Sequence, residues 1–224
     1  MADITNDCIA KGKIDDWMYK SVKVINDLHR DSYQKENIYR LAKILSSTIQ
    51  TGHKVLVCGN GGSASDSGHL VGELMNQFCM GRTAALPAID LSAMNATITA
   101  IANDWGYEDI FSKQVQGLGQ MGDLLIGIST SGNSRNVLQA ILEANYLGLT
   151  TALLTGNIGE SLPSIKRRVR GKEVTVVVRP DFMISVPSND TPIIQQAHTM
   201  ILHILVYMLD WIRTDVDYFD KETW

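Results

Sequence analysis

KVLVCGNGGSAS, residues 54–65, is the stretch on which the fold turns. A short apolar run, Val55 to Cys58, passes directly into glycine, asparagine and serine. Such a run is too short for a helix and is bounded by turn residues, so it reads as a buried strand. The form recurs as PAIDL at 87–91, DLLIGIS at 123–129 and TTALLT at 150–155. Helix-length stretches lie between these runs, at 64–78, 93–102, 108–118 and 134–147. Strands alternating with helices predict an α/β fold: a parallel sheet covered on both faces, built from right-handed strand–helix–strand units.

Upstream of this core, residues 14–50 carry apolar residues at helical spacing. Val22, Val24, Ile25 and Leu28 form one set, and Ile38, Leu41, Ile44 and Leu45 another. Asp31 and Ser32 read as a break between two helices. Downstream, VTVVV at 174–178 and FMISV at 182–186 read as two strands, or as one bulged strand around Pro180. SIKRRVRGK at 164–172 reads as a solvated basic loop, with anion binding as the alternative. A long helix is predicted from Pro192 to about Arg213, with the proline in its first turn. The tail DVDYFDKETW is acidic and aromatic.

At 224 residues the chain is long enough for one sizeable core. Hydrophobic residues make up 45% and charged residues 20%, which excludes disorder over most of the length. The net charge is −4 and the pI about 5.7, so no nucleic-acid partner is expected. No uninterrupted apolar run approaches the roughly 18 residues of a membrane span, and the polar N-terminus does not resemble a signal peptide. A cytoplasmic location is expected. Cys8, Cys58 and Cys79 are scattered and odd in number, which fits reduced thiols.

Four groups of residues could carry chemistry. CGNGGSAS, 58–65, ends the first strand with small residues that let a ligand approach the backbone, and a helix N-terminus follows. It is neither a P-loop nor a GxGxxG fingerprint, so no nucleotide cofactor is expected. STSGNS, 129–134, sets the hydroxyls of Ser129, Thr130, Ser131 and Ser134 around a turn that opens the next helix. One helix cap needs one hydroxyl, so four suggest a phosphate cradle without lysine. Both turns fall at carboxyl ends of strands, where open α/β sheets bind ligands. His69 and Glu73 are four residues apart, about 400° of helix, and share a face that could bind a metal or move protons. Gln195, His198 and His203 lie on the last helix. The two histidines are about 140° apart and do not easily serve one site, while Gln195 fits with either.

Taken in order, CGNGGSAS…H…E (58–73), AIANDWGYEDIFSKQV (100–115), GDLLIGISTSGNSRNVLQAI (122–141) and IIQQAH…H (193–203) resemble the sugar isomerase (SIS) domain family over roughly residues 35–210. The resemblance implies a three-layer α-β-α domain at 35–213 with a five-stranded parallel sheet. Residues 1–34 would form an N-terminal helical interface segment, and 214–224 a C-terminal tail. It also implies a homotetramer with active sites between subunits. A surplus of apolar residues on 14–50 and 192–213 suggests the same. The implied reaction converts sedoheptulose 7-phosphate to D-glycero-D-manno-heptose 7-phosphate through an enediol, the first step toward nucleotide-activated heptose.

By resemblance, Glu73 falls on the general base and His203 on the general acid. His69, Glu73, Gln195 and His203 fall on a zinc-binding set. Asn60, Gly61, Gly62, Ser63, Asp104, Ser129, Thr130, Ser131, Ser134 and Gln195 fall on substrate contacts, and His198 lies outside these sets. A non-catalytic sugar-phosphate-binding regulator on the same fold, of the kind that associates with a replication initiator, is the alternative. Such members lack the carboxylate and the last histidine, and this chain has both. The chain departs from the pattern at Gln77 and Ile193, where arginine is usual, and in a longer segment at 157–180.

Overall fold

The computed structural model describes residues 2–76, 84–159, 162–169 and 172–214. Two helices open the chain, α1 (Ala2–Arg30) and α2 (Ser32–Gln50). Asp31 makes the break, because its Oδ1 accepts the Gln34 amide at 3.0 Å and caps α2. There follow β1 (Val55–Gly59), α3 (Gly62–Met75), β2 (Ala88–Asp90) and α4 (Asn95–Asp104). A 3-10 turn at Tyr107–Asp109 leads to α5 (Ser112–Leu118), β3 (Leu124–Ser129), α6 (Arg135–Leu147) and β4 (Thr150–Thr155). The chain continues through β5 (Ser164–Val169), β6 (Lys172–Val177), β7 (Phe182–Ser185) and α7 (Thr191–Thr214).

The main sheet has five strands in the order β2-β1-β3-β4-β7, all parallel, as the sequence predicts. Successive strand residues face opposite sides, so each continuous apolar run supplies two cores. Val55, Val57, Leu124, Ile126, Ile128 and Leu154 pack under α2, α3 and α7, against Leu41, Leu45, Leu70, Leu74, Ile201 and Leu205. Leu56, Cys58, Leu125 and Leu153 pack on the opposite face against Phe111, Val137, Ile141 and Ala144 of the α5–α6 side. Burial pushes the Cys58 thiol up, with the nearby Asp90 charge adding to the effect, so it stays protonated and unreactive.

One sequence reading is overturned and others are refined. The basic stretch 164–172 is not a loop: Ser164–Val169 is β5, paired antiparallel with β6 in a separate two-stranded sheet. Its charges conceal an anchor, Ile165, which is buried beside Val178 in the α6-side core. VTVVV and FMISV accordingly belong to different sheets. Ile193 takes its departure from arginine into the core, where it is 2% exposed. Gln77, the other departure, lies outside the described residues. Finally, α7 is a described helix long and apolar enough by composition to cross a membrane. Half of it is buried, and it packs on α1, α2 and α3 as a core helix.

Candidate active site

The strand order reverses between β1 and β3, since the chain moves from β1 outward to β2 and then returns to β3 on the other side. Ligands bind at such a switch point, outside the carboxyl ends of the strands. Both turns predicted as ligand loops are there. The first, Asn60 to Ser63, joins β1 to α3. The amide of Gly59 just before it donates to Ser92 Oγ at 3.0 Å, and Ser63 is buried. A Cβ on Gly62 would meet the side-chain amide of Gln195, which would have to swing aside. That contact places Gln195 of α7 against the first turn.

The second turn runs from Ser129 to Ser134. Ser129 is 2% exposed, and its Oγ donates to Ser134 Oγ at 2.9 Å while accepting the Ser134 amide at 3.3 Å. Ser129 therefore shapes the turn. Thr130, Ser131 and Ser134 are the more exposed hydroxyls. Ser131 Oγ accepts the Asn133 amide at 3.2 Å. Gly132 takes φ +66, and a Cβ on it would also meet Ile158 and Thr155, so the turn excludes side chains at its apex.

α3 and α7 bring together the third group. His69 Nε2 lies 2.7 Å from His203 Nε2, and the rings meet edge to face at 4.9 Å. Glu73 Oε1 is 3.9 Å from His69 Nε2. Ligating atoms of these three side chains all lie within 4.8 Å of one another, a donor set able to hold a metal ion. His198 goes elsewhere, as the helix geometry predicts. It is fully buried, its Nε2 lies 3.2 Å from the Thr155 carbonyl, and burial pushes its imidazole down to about 4. Neutral at ordinary pH, it pins α7 to the end of β4. Asp104 stands exposed at the end of α4. Its Oδ1 accepts from Asn103 Nδ2 at 2.8 Å, and it shares no hydrogen bond with either turn among the described residues.

Sequence reasoning passes over two further features. Asp66 lies on α3 three residues before His69. Its Oδ1 accepts from Thr199 Oγ1 of α7 at 2.9 Å, and its buried Oδ2 has no hydrogen-bond partner. Burial pushes its carboxyl up, opposed by the Thr199 bond and the nearness of His69. Its three-residue spacing from His69 was the available signal. The second feature is a polar knot that joins the two turns. Asn60 and Asn136 exchange side-chain amide bonds at 2.9 and 2.8 Å, and Tyr107 Oη donates to Asn60 Oδ1 at 2.9 Å. Beside it lies a cavity of about 440 Å³ lined by Asn60, Tyr107, Glu108, Ser134, Arg135 and Asn136. Arg135 pairs with Glu108 at 2.8 Å and donates to the Lys166 carbonyl at 2.9 Å, which ties β5 to the cavity rim.

A parallel sheet with this order, two turns at its switch point and a carboxylate–imidazole cluster on α3 and α7 define an α/β protein with a candidate active site. The family model described as "SIS domain" matches residues 17–156. A phosphoheptose isomerase from Thermodesulfovibrio yellowstonii is 40% identical over 190 residues, 84% of this chain and 87% of that one. One from Helicobacter pylori is 40% identical over 194 residues, 86% of this chain and 93% of its own. A solved phosphoheptose isomerase structure from Francisella tularensis has a TM-score of 0.77 at 35% identity, covering 90% of this chain and 98% of that one. Another, from Neisseria gonorrhoeae, has a TM-score of 0.75 at 30% identity, covering 89% and 98%. The chain belongs to the SIS domain family and is an aldose–ketose isomerase of sugar phosphates.

Proposed function

We propose that the chain converts sedoheptulose 7-phosphate to D-glycero-D-manno-heptose 7-phosphate. The observation that carries this reading is the meeting of Glu73 with His69 and His203 across α3 and α7, on the helix that leaves the first ligand turn. The names of the relatives at about 40% identity support a phosphorylated heptose as the sugar. The amides and hydroxyls of Thr130, Ser131 and Ser134 hold the phosphate. Asn60, Gly61, Gly62 and Ser63 contact the sugar, with Gln195 closing over Gly62. Asp104 reaches the sugar from the end of α4.

The Glu73 carboxylate takes the proton from C1 of the ketose, and His203 protonates the oxygen at C2, giving the enediol. His203, left deprotonated, takes the proton from O1, Glu73 returns its proton to C2 on the same face, and the aldehyde forms at C1 with both groups restored. General acid–base groups of this kind contribute typically about 10²–10⁴-fold.

The cluster also suits zinc. Two imidazole nitrogens at 2.7 Å need a proton or a cation between them, and nitrogen–oxygen donor sets are ones zinc accepts. His69, Glu73, His203 and the Gln195 amide oxygen would hold it. When bound, it supplies Lewis acidity that polarises the sugar oxygens. The assembly is a homotetramer in the cytoplasm, with its contacts on α1 and α7.

Glu73→Gln keeps the shape of the side chain and removes the base. It should lower kcat on sedoheptulose 7-phosphate by at least about 10²-fold while the melting temperature stays close to wild type. Turnover within a few-fold of wild type would assign the base elsewhere, with Asp66 the nearest other carboxylate on α3.

A further inference from the structure

Asn60 and Asn136 each have an amide whose oxygen and nitrogen could exchange places by a half-turn of the side chain, so their orientation must come from unambiguous partners. One such partner is present. The Val137 backbone N–H donates to Asn136 Oδ1 at 2.9 Å, and a backbone amide can only donate. This fixes Asn136 with Oδ1 toward Val137 and Nδ2 toward Asn60 Oδ1, at 2.8 Å. Asn136 Oδ1 also takes one N–H of Asn60, at 2.9 Å. Tyr107 Oη then supplies a second donor to Asn60 Oδ1, at 2.9 Å.

The count follows from the capacities of an amide group. Its oxygen accepts two hydrogen bonds and its nitrogen donates two. Asn60 Oδ1 holds both of its acceptances, from Asn136 and Tyr107. Asn60 Nδ2 gives one N–H to Asn136 and keeps one. Asn136 is 3% exposed, so the side of the knot that sets the orientation is shielded from competing solvent, while Asn60 stands half-buried at the cavity edge.

We propose that Asn136 and Tyr107 are positioning residues that lock the Asn60 amide as a pure hydrogen-bond donor, one N–H, to a substrate oxygen. This rests on the reading of Asn60 as a sugar contact. It adds a rule of specificity, because a hydroxyl or carbonyl oxygen is accepted at that point and an ammonium group is not. Asn136 lies on α6 one residue beyond Arg135, directly after the phosphate turn. The knot therefore also sets the spacing between the sugar contact on the first turn and the phosphate contact on the second.

The test is a pair of double-mutant cycles, Asn60→Ala with Asn136→Ala and Asn60→Ala with Tyr107→Phe. They are read as kcat/KM on whichever ketose phosphate the wild type isomerises. Asn60→Ala should lower kcat/KM about 10-fold, the loss of one good hydrogen bond. Asn136→Ala should lower it about 5- to 10-fold and Tyr107→Phe about 2- to 3-fold in the wild-type background. In the Asn60→Ala background each should change it less than 2-fold, because nothing remains to be oriented. Inhibition by inorganic phosphate, held by the second turn, should be unchanged. Tyr107 is 59% exposed, so its phenylalanine variant folds even if Asn136→Ala does not.

Full additivity in the tyrosine cycle, or weaker phosphate inhibition in parallel with kcat/KM, would overturn the proposal. An inert Asn60→Ala would overturn it too, together with the sugar-contact reading of Asn60. Failure of the wild type on sedoheptulose 7-phosphate alone would reject that substrate and leave the cycles readable on another.

Discussion

Burial pushes the His198 imidazole down to about 4, from the ordinary 6.5, and the hydrogen bond to the Thr155 carbonyl offsets only part of the effect. The folded protein keeps this ring neutral at pH values where the unfolded chain binds a proton. Its contribution to stability is complete above about pH 6.5 and is lost as pH falls from there toward 4. Between pH 7 and pH 5 the loss is about 2 kcal/mol. Asp66 has the opposite sign, since its raised carboxyl binds a proton more readily in the folded state, and it is common to wild type and a His198 variant. Denaturant unfolding of wild type and His198→Asn at the two pH values should show the variant losing about 2 kcal/mol less. Identical losses would contradict the burial argument. Helix geometry alone separated His198 from His203, because about 140° of rotation is a property of the backbone. It did not say which of the two faced the site, since that depends on where β4 ends. Asp66 is not legible as a site residue because it follows the Gly-rich turn closely, within the first turns of α3.

The central strands β1 and β3 are legible in the sequence because they are buried on both faces and so are apolar, as Leu124 to Ile128 shows apart from Gly127. The β5–β6 hairpin follows a different rule. Its inward residues are few, Ile165 above all, and charged neighbours such as Lys166, paired with Glu173 at 2.9 Å, dominate its composition. A two-stranded hairpin is only marginally stable alone. Its attachment therefore rests on Ile165, on Val178 just beyond it, and on the bond from Arg135 to the Lys166 carbonyl. Ile165→Ala should loosen the hairpin locally. Amide exchange across β5 and β6 should quicken at least about 10-fold while β1 and β3 keep their protection. An equal loss of protection in β1 and β3 would mean that the hairpin is integral to the main core.

For the whole molecule, the most visible surface feature is an apolar band on α1. Ile14, Trp17, Met18, Tyr19 and Val22 are between 44% and 70% exposed. Trp211 on α7, at 38%, adds a further exposed ring. Exposed apolar surface of this extent marks an interface. The surplus was legible in the helical spacing of 14–50, but which residues it leaves uncovered depends on how α1 lies on α7. Trp17→Glu together with Met18→Glu should shift the mass measured by light scattering from about four chains to fewer at micromolar concentration. A monomeric wild type would contradict the tetramer.

The proposed reaction has a signature in where the proton goes. The direct measurement is conversion of sedoheptulose 7-phosphate by the wild-type protein in deuterated water, followed by NMR, beside Glu73→Gln. A single base working through an enediol predicts D-glycero-D-manno-heptose 7-phosphate carrying deuterium at C2 to the extent that the carboxyl proton exchanges with solvent before its return, with at least about 10²-fold slower formation by the variant. No heptose 7-phosphate from the wild type, or equal rates from the two proteins, would contradict it.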